Sequence, residues 1–241
     1  MHKASGLYPD NKFMINENLK DEKSVLKGYN MLFYFAGSLI MYEPDDECVA
    51  DFWSKGILKN LPVRSSNPRF VEAASQLRDS CNNIAVCKDM LQNDYKRLFS
   101  TPGLALAPPV KSFYIDNSAT ANQNVEEVTD FYNSYGWKKR TRYDIPDDNL
   151  GIEILFLTLL IDKYISFDDE ACRNEMKEEI RRFIRRHILS WLPEWNARMQ
   201  EYSNTTGYKG IANLILAICE DVYEVMDKNK KSGSAPENFR N

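Results

Sequence analysis

Apolar residues recur at three- and four-residue steps along nearly the whole chain, and one stretch alone refuses that period. Thr101 to Asn117 (TPGLALAPPVKSFYIDN) holds three prolines and a glycine. Proline removes a backbone donor and clashes with the preceding helical turn, so this stretch cannot be one regular element. It is also too apolar for a solvated loop. Leu104, Leu106, Val110, Phe113, Tyr114 and Ile115 have to pack on something. The stretch therefore reads as an ordered crossing between two helical halves.

On its N-terminal side, Leu19, Val25, Leu26, Tyr29, Leu32, Phe33, Ala36, Leu39 and Ile40 mark a first helix that Pro44 closes. A shorter helix follows from Asp46, with Val49, Phe52, Trp53 and Ile57 on one side. Asn67-Pro68 is an N-cap followed by proline at the first helical position, where its missing N–H costs nothing. Val71, Ala74, Leu77, Cys81 and Ile84 continue that helix, and Met90, Leu91, Tyr95, Leu98 and Phe99 mark another.

Beyond the crossing, Val125, Val128, Phe131, Tyr132 and Tyr135 form a helix capped by Gly136. Trp137 to Ile145 is a polar, aromatic connector. Pro146-Asp147-Asp148-Asn149 opens a helix that is apolar nearly all round, the mark of an element at the centre of a bundle. Ile180, Phe183, Ile184, His187, Ile188 and Trp191 form the stripe of the next helix, with Arg181, Arg182, Arg185 and Arg186 opposite. Pro193 starts a short helix through Trp195, and Gly207 precedes a last one carrying Ile211 to Val225. No alternation long enough for a sheet occurs. The pattern predicts one all-α domain over residues 1–241, a bundle of nine or more helices. Residues 1–18 and 228–241 are expected to be flexible tails, and 101–117 a hinge-like loop.

Composition enters by exclusion. Thirty-one Lys and Arg against 35 Asp and Glu leave a net charge of −4, which argues against a general nucleic-acid binder. The start is polar, without the apolar core of a secretory signal. The longest apolar run, Ile152 to Ile161, falls well short of the roughly 20 residues a membrane span needs. The expectation is a cytoplasmic chain without stable membrane insertion. Five cysteines (Cys48, Cys81, Cys87, Cys172, Cys219) with no CxxC pair read as buried free thiols, and a structural metal site is not expected. No phosphate loop, GxSxG, HExxH or dinucleotide fingerprint occurs. His187 sits on an apolar stripe and reads as a packing residue, and the arginine pairs read as a solvated face with Glu178 and Glu179 as partners. Neither catalytic residues, metal ligands nor a cofactor are expected.

What the residues do suggest is a groove. The apolar crossing, Tyr95, Leu98 and Phe99 just before it, and Asp147 and Asp148 at a helix start combine apolar walls with a carboxylate end. Such a groove suits a peptide that carries arginines beside an apolar stretch, because guanidinium binds carboxylate through bidentate, charge-assisted hydrogen bonds.

Three motifs, in order, then resemble the TorD/DmsD family of redox-enzyme maturation chaperones. Tyr95-Lys-Arg-Leu98-Phe99, Pro102-Gly103 and Ala107-Pro108-Pro109-Val110-Lys-Ser112-Phe-Tyr114 resemble its "Y-x-R-L-F … G-P … P-P-x-x-S-x-Y" stretch. Ile145-Pro146-Asp147-Asp148-Asn149-Leu150-Gly-Ile-Glu153 is similar to its "E-P-x-D-H-x-x-x-E-L" signature, with Asn149 in the histidine position. His187-Ile-Leu-Ser-Trp191-Leu-Pro193 resembles "H-L-x-x-W-x-P". The resemblance implies a chaperone without catalytic activity. It implies, as partners, the twin-arginine signal peptide and apoprotein of a molybdopterin-containing reductase of the DMSO-reductase class, held until its cofactor is inserted and kept from premature export. The peptide-binding residues it implies are Tyr95, Leu98, Phe99, Pro108, Pro109, Val110, Tyr114, Asp147, Asp148, Asn149 and Glu153. The alternatives are a NarJ-like assembly chaperone for a non-exported subunit, a helical scaffold using the Arg181–Arg186 face, and, ranked below the NarJ-like reading, a small-molecule enzyme on a helical bundle. Monomer and dimer, the latter with exchanged halves, are both open.

Overall fold

The computed structural model describes residues 11–49, 61–81, 84–100, 104–141 and 143–227. Among them are nine α-helices and no strand: α1 (Asn11–Met41), α2 (Asp46–Val49), α3 (Pro68–Arg78), α4 (Ile84–Tyr95), α5 (Ser118–Ser134), α6 (Leu150–Ser166), α7 (Glu170–Phe183), α8 (Leu192–Tyr202) and α9 (Thr206–Val225). Two helices run on into a wider π turn, α4 through Lys96–Ser100 and α7 through Ile184–Ile188. Lys111–Tyr114 is a single 3₁₀ turn inside the proline-rich crossing.

Helices from before and after that crossing pack on one another. α1 lies against α6 and α9, α3 against α9, α7 against α6, and α8 against α9. The centre is α6 and α9, and on both the buried residues go round the helix rather than along one stripe. Close approach of α3 to α9 depends on Gly210, where a Cβ would stand 2.8 Å from Leu77 Cγ. The caps follow the sequence. Asn67, Asn117, Asn149, Asp169 and Thr205 each accept a backbone N–H in the first turn of α3, α5, α6, α7 and α9. Gly136, after α5, takes a positive φ of 62°.

Several expectations need correction. α1 reaches back to Asn11, into the stretch read as a tail. The buried face of α3 is Phe70, Ala73 and Leu77, so Val71 points to solvent and the helix stops at Arg78. Cys81 and Cys87 are joined as a disulfide rather than free. Their Cα atoms stand 5.7 Å apart, within bridging range, and a spacing that rules out a zinc knuckle does not rule out a disulfide. Of the other thiols Cys219 is buried, Cys48 half-buried and Cys172 exposed. Phe52, Trp53, Ile57, Pro102, Gly103 and the 228–241 tail lie outside the described residues. The arginine face is paired as expected: Arg182 with Glu179, and also Arg186 with Glu127 and Arg181 with Asp227. No described helix is long and apolar enough to cross a membrane, and no described cluster of His, Cys, Asp or Glu could hold a metal ion.

Asp94 locks the end of α4 to the start of α9. Its buried carboxylate accepts from the backbone N–H of Asn204 and Thr205 and from Thr205 Oγ1, and it pairs with Arg97 at 2.7 Å. Asp94→Ala strands these donors and is expected to cost about 3 kcal/mol. It should appear as a lower urea midpoint at unchanged m-value; a loss under about 1 kcal/mol would show that the bundle does not depend on this lock.

Candidate functional site

The site is built by the proline-rich crossing as it returns along the end of α4. Leu106 N–H donates to Arg97 O and Ala107 N–H to Leu98 O, both at 3.0 Å. Four consecutive carbonyls then each receive a donor, from three different parts of the fold. Leu106 O accepts from the Arg198 guanidinium, Ala107 O from Trp195 Nε1 at 3.2 Å, and Pro108 O from the Tyr114 hydroxyl at 3.1 Å. Pro109 O accepts from Leu150 N–H at 2.8 Å. Prolines 108 and 109 bring no N–H of their own, so the segment is satisfied once its carbonyls are. From Leu106 to Pro109 an apolar segment is ordered here because each of its polar backbone groups has a partner.

The crossing is then clasped to the start of α6. Val110 and Asn149 form an isolated antiparallel bridge, and Lys111 N–H donates to Asp148 O at 3.0 Å. Asp148 Oδ2 accepts from Ser112 N–H at 2.8 Å, while Asn149 caps α6 through Gly151 N–H.

Between these parts lies a cleft of about 200 Å³. Tyr95 and Phe99 form one side, ring to ring at 5.3 Å, with Phe99 in turn against Tyr208. Pro108, Pro109 and Val110 form the second side. Ile40 and Met41, from the end of α1, with Asp144, Ile145, Pro146 and Asn149, complete it. The Tyr95 hydroxyl donates to Met41 O at 3.0 Å and so ties α4 to α1. Gly151 admits Met41: a Cβ there would stand 2.2 Å from Met41 Cγ. The lining is mixed: Ile40, Met41, Phe99, Pro108, Pro109, Val110, Ile145 and Pro146 bring apolar groups, and Asp144 and Asn149 polar ones. The volume lies below the roughly 300–1,000 Å³ of a small-molecule pocket, which suits side chains projecting from a bound chain better than a cofactor.

Six of the eleven residues singled out from sequence line this cleft: Tyr95, Phe99, Pro108, Pro109, Val110 and Asn149. The other five lie behind it. Leu98 faces the core, and Tyr114 packs on Trp191 at 5.4 Å between ring centroids. Asp147 pairs with Lys139 and accepts from Thr129. Asp148 is 2% exposed and Glu153 fully buried. Asp148 and Glu153 are thus buried and do not line the cleft. Ile40, Met41, Asp144, Ile145 and Pro146 line the cleft without having been singled out. Pro146 and Ile145 lay inside a quoted motif, whereas nothing local marks Ile40 or Met41, which arrive through tertiary packing of α1 on α6.

Beneath the wall sits a buried polar group. The π turn at Ile184–Ile188 shifts the hydrogen-bond register, so that Leu189 N–H donates to Ile184 O. Lys111 Nζ reaches past α6 to Arg186 O at 2.9 Å, and Trp191 Nε1 donates to His187 O at 2.7 Å. Burial holds the Glu153 carboxyl well above the usual range, with Lys111 opposing the shift. Burial likewise lowers the Lys111 ammonium. His187, packed against Phe131 and Phe183, is pushed down to about 3 by burial and then by Lys111, Arg186 and Arg182.

Comparison with known proteins fits this geometry. The family described as nitrate reductase delta subunit matches residues 66–197, more than half of the chain. Relatives named Chaperone protein TorD include that of Vibrio parahaemolyticus, 24% identical over 78% of this chain and 90% of its own length. Those of Vibrio vulnificus (27% identical, 68% of this chain and 75% of the relative) and Vibrio cholerae (21%, 82% and 91%) are similar.

His187 generates a test of the buried group. Its folded-state pKa lies below the unfolded value near 6.5, so the unfolded chain binds the extra proton and stability falls as pH drops from about 6.5 toward 3. Relative to His187→Leu, the native protein should lose about 1.4 kcal/mol per pH unit through this window in denaturant titrations. Parallel stability curves for the two proteins would contradict a neutral buried imidazole.

Proposed function

The chain belongs to the nitrate reductase delta subunit family, and on that premise we propose that it is a redox-enzyme maturation chaperone, not an enzyme, whose cleft takes the apolar part of a client's leader peptide. The observation that carries this reading is the preformed cleft between α1, the end of α4 and the proline wall, into which Ile40, Met41, Phe99, Pro108, Pro109 and Val110 bring apolar side chains. A groove whose backbone is already fixed does not lose ordering entropy when a chain enters it, and alternate side chains of that chain supply the contact. In this reading Tyr95, Phe99, Pro108, Pro109, Val110 and Asn149 touch the peptide. Leu98, Tyr114, Asp147, Asp148 and Glu153 hold those residues in place.

The client is the apoprotein of a molybdopterin-containing reductase of the DMSO-reductase class, bound in the cytoplasm through its twin-arginine leader until its cofactor is in place. The family description, which names a subunit of nitrate reductase, favours a second reading: an assembly chaperone for a subunit that is not exported. That reading predicts indifference to the arginine pair.

Isothermal titration with a synthetic leader carrying Arg-Arg ahead of its apolar stretch, beside a Lys-Lys control, separates these. The leader reading predicts saturable binding with preference for Arg-Arg; equal binding favours the second reading, and no binding to either peptide overturns the cleft's assignment. Val110→Asp puts a charge into the apolar wall and should weaken binding at least about tenfold, or 1.4 kcal/mol, without moving the melting temperature.

A further inference from the structure

We propose that the cationic pair of the bound peptide is read by Glu43, Asp45 and Asp144, around the C-terminal end of α1, and not by the Asp147–Asp148 pair to which the sequence pointed. This deepens the leader-binding reading and rests on it.

Asp147 and Asp148 are committed elsewhere. Asp147 Oδ1 pairs with Lys139 at 2.7 Å and its Oδ2 accepts from Thr129 at 3.0 Å. Asp148 is buried under the wall with Oδ2 on Ser112 N–H. Asp148 cannot meet a guanidinium from solvent without breaking the clasp that shapes the cleft, and Asp147 would have to give up Lys139 and Thr129. Asp144, by contrast, is exposed and lines the apolar cleft itself.

A second, larger cleft of about 600 Å³ is walled by the same two elements, the last turn of α1 and the stretch from Arg140 onward. Glu43 and Asp45 line it beside Tyr42, whose ring lies 6.5 Å from that of Tyr143. α1 is 31 residues long and carries no basic residue in its own last turn, so the negative pole of its dipole favours a cation brought to that end. The Glu43–Lys96 pair is 39% and 57% exposed, which makes it weak and readily exchanged for an incoming arginine. Tyr42 and Tyr143 supply ring faces over which a guanidinium can lie. One peptide can thus place apolar side chains between Phe99 and Val110 and its arginines at the α1 end. Arg140 also lines the acidic cleft and opposes such a ligand, which gives the idea a test of sign.

The test is titration of two synthetic peptides, Arg-Arg and Gln-Gln ahead of the same leucine–alanine stretch. The proteins are the wild type, the triple variant Glu43→Gln/Asp45→Asn/Asp144→Asn, and Arg140→Gln. Asparagine at 45 keeps the cap on Cys48 N–H, and thermal melts check that the fold is retained. The triple variant should bind Arg-Arg about tenfold more weakly, with its salt dependence lost, and bind Gln-Gln as the wild type does. Arg140→Gln should bind Arg-Arg more tightly. A folded triple variant that keeps the full Arg-Arg preference overturns the assignment. A wild type that binds both peptides equally overturns it too, while leaving the apolar cleft standing. Failure of the wild type to bind either peptide overturns the leader reading and this inference with it.

Discussion

Everything at the site depends on four backbone carbonyls in a row. Leu106, Ala107, Pro108 and Pro109 would be costly to bury without partners, and each receives a donor, from three elements in all: Arg198 and Trp195 on α8, Tyr114 on the 3₁₀ turn, Leu150 at the start of α6. An apolar segment with two adjacent prolines is hard to order by secondary structure, since it lacks the donors a ladder needs. The side chains of Arg198, Trp195 and Tyr114 and the backbone N–H of Leu150 supply what a neighbouring strand would have supplied. The wall this creates is rigid, and its outer side is apolar. Tyr95, Phe99 and Met41 face it across a narrow gap, so the cleft exists before anything enters it.

That dependence explains how polar and apolar requirements are separated. The cleft surface combines proline, valine, isoleucine, methionine and aromatic rings with the polar groups of Asp144 and Asn149. The charges that the motifs carry are withdrawn behind it: Asp148 on Ser112 N–H, Lys111 on Arg186 O, Glu153 sealed beneath α6's first turn. The π turn at the end of α7 matters here because it shifts the carbonyls of α7 into positions where Lys111 and Trp191 can reach them. Buried charges of this kind contribute little net stability but penalise any other arrangement of the loop.

Much of this was legible in the sequence. Helical periods, the Asn67-Pro68 cap, Gly136 and the all-round apolar α6 set the class and most of the elements, and the broken stretch at 101–117 marked where the site would form. The motifs identified both faces of the bridge between Val110 and Asn149. What local pattern could not give was direction. Asp148 and Glu153 share a motif with Asn149, yet only Asn149 faces the cleft, because the bridge turns its neighbours inward. Ile40 and Met41 were readable only as the end of an amphipathic helix. Their place in the cleft follows from Gly151, which lets α1 approach α6. The Cys81–Cys87 disulfide is likewise not legible from spacing alone, because it depends on the approach of the two Cα atoms to 5.7 Å.

The central claim is that an apolar peptide segment enters the cleft between the proline wall and the aromatic pair. Methyl NMR of isoleucine- and valine-labelled protein, titrated with a leader peptide, tests it directly. The account predicts that the methyl signals of Ile40, Val110 and Ile145 shift together and saturate, while those of Ile180 and Ile215 in the core stay in place. Saturable shifts that leave Val110 and Ile145 unmoved and gather elsewhere would contradict it.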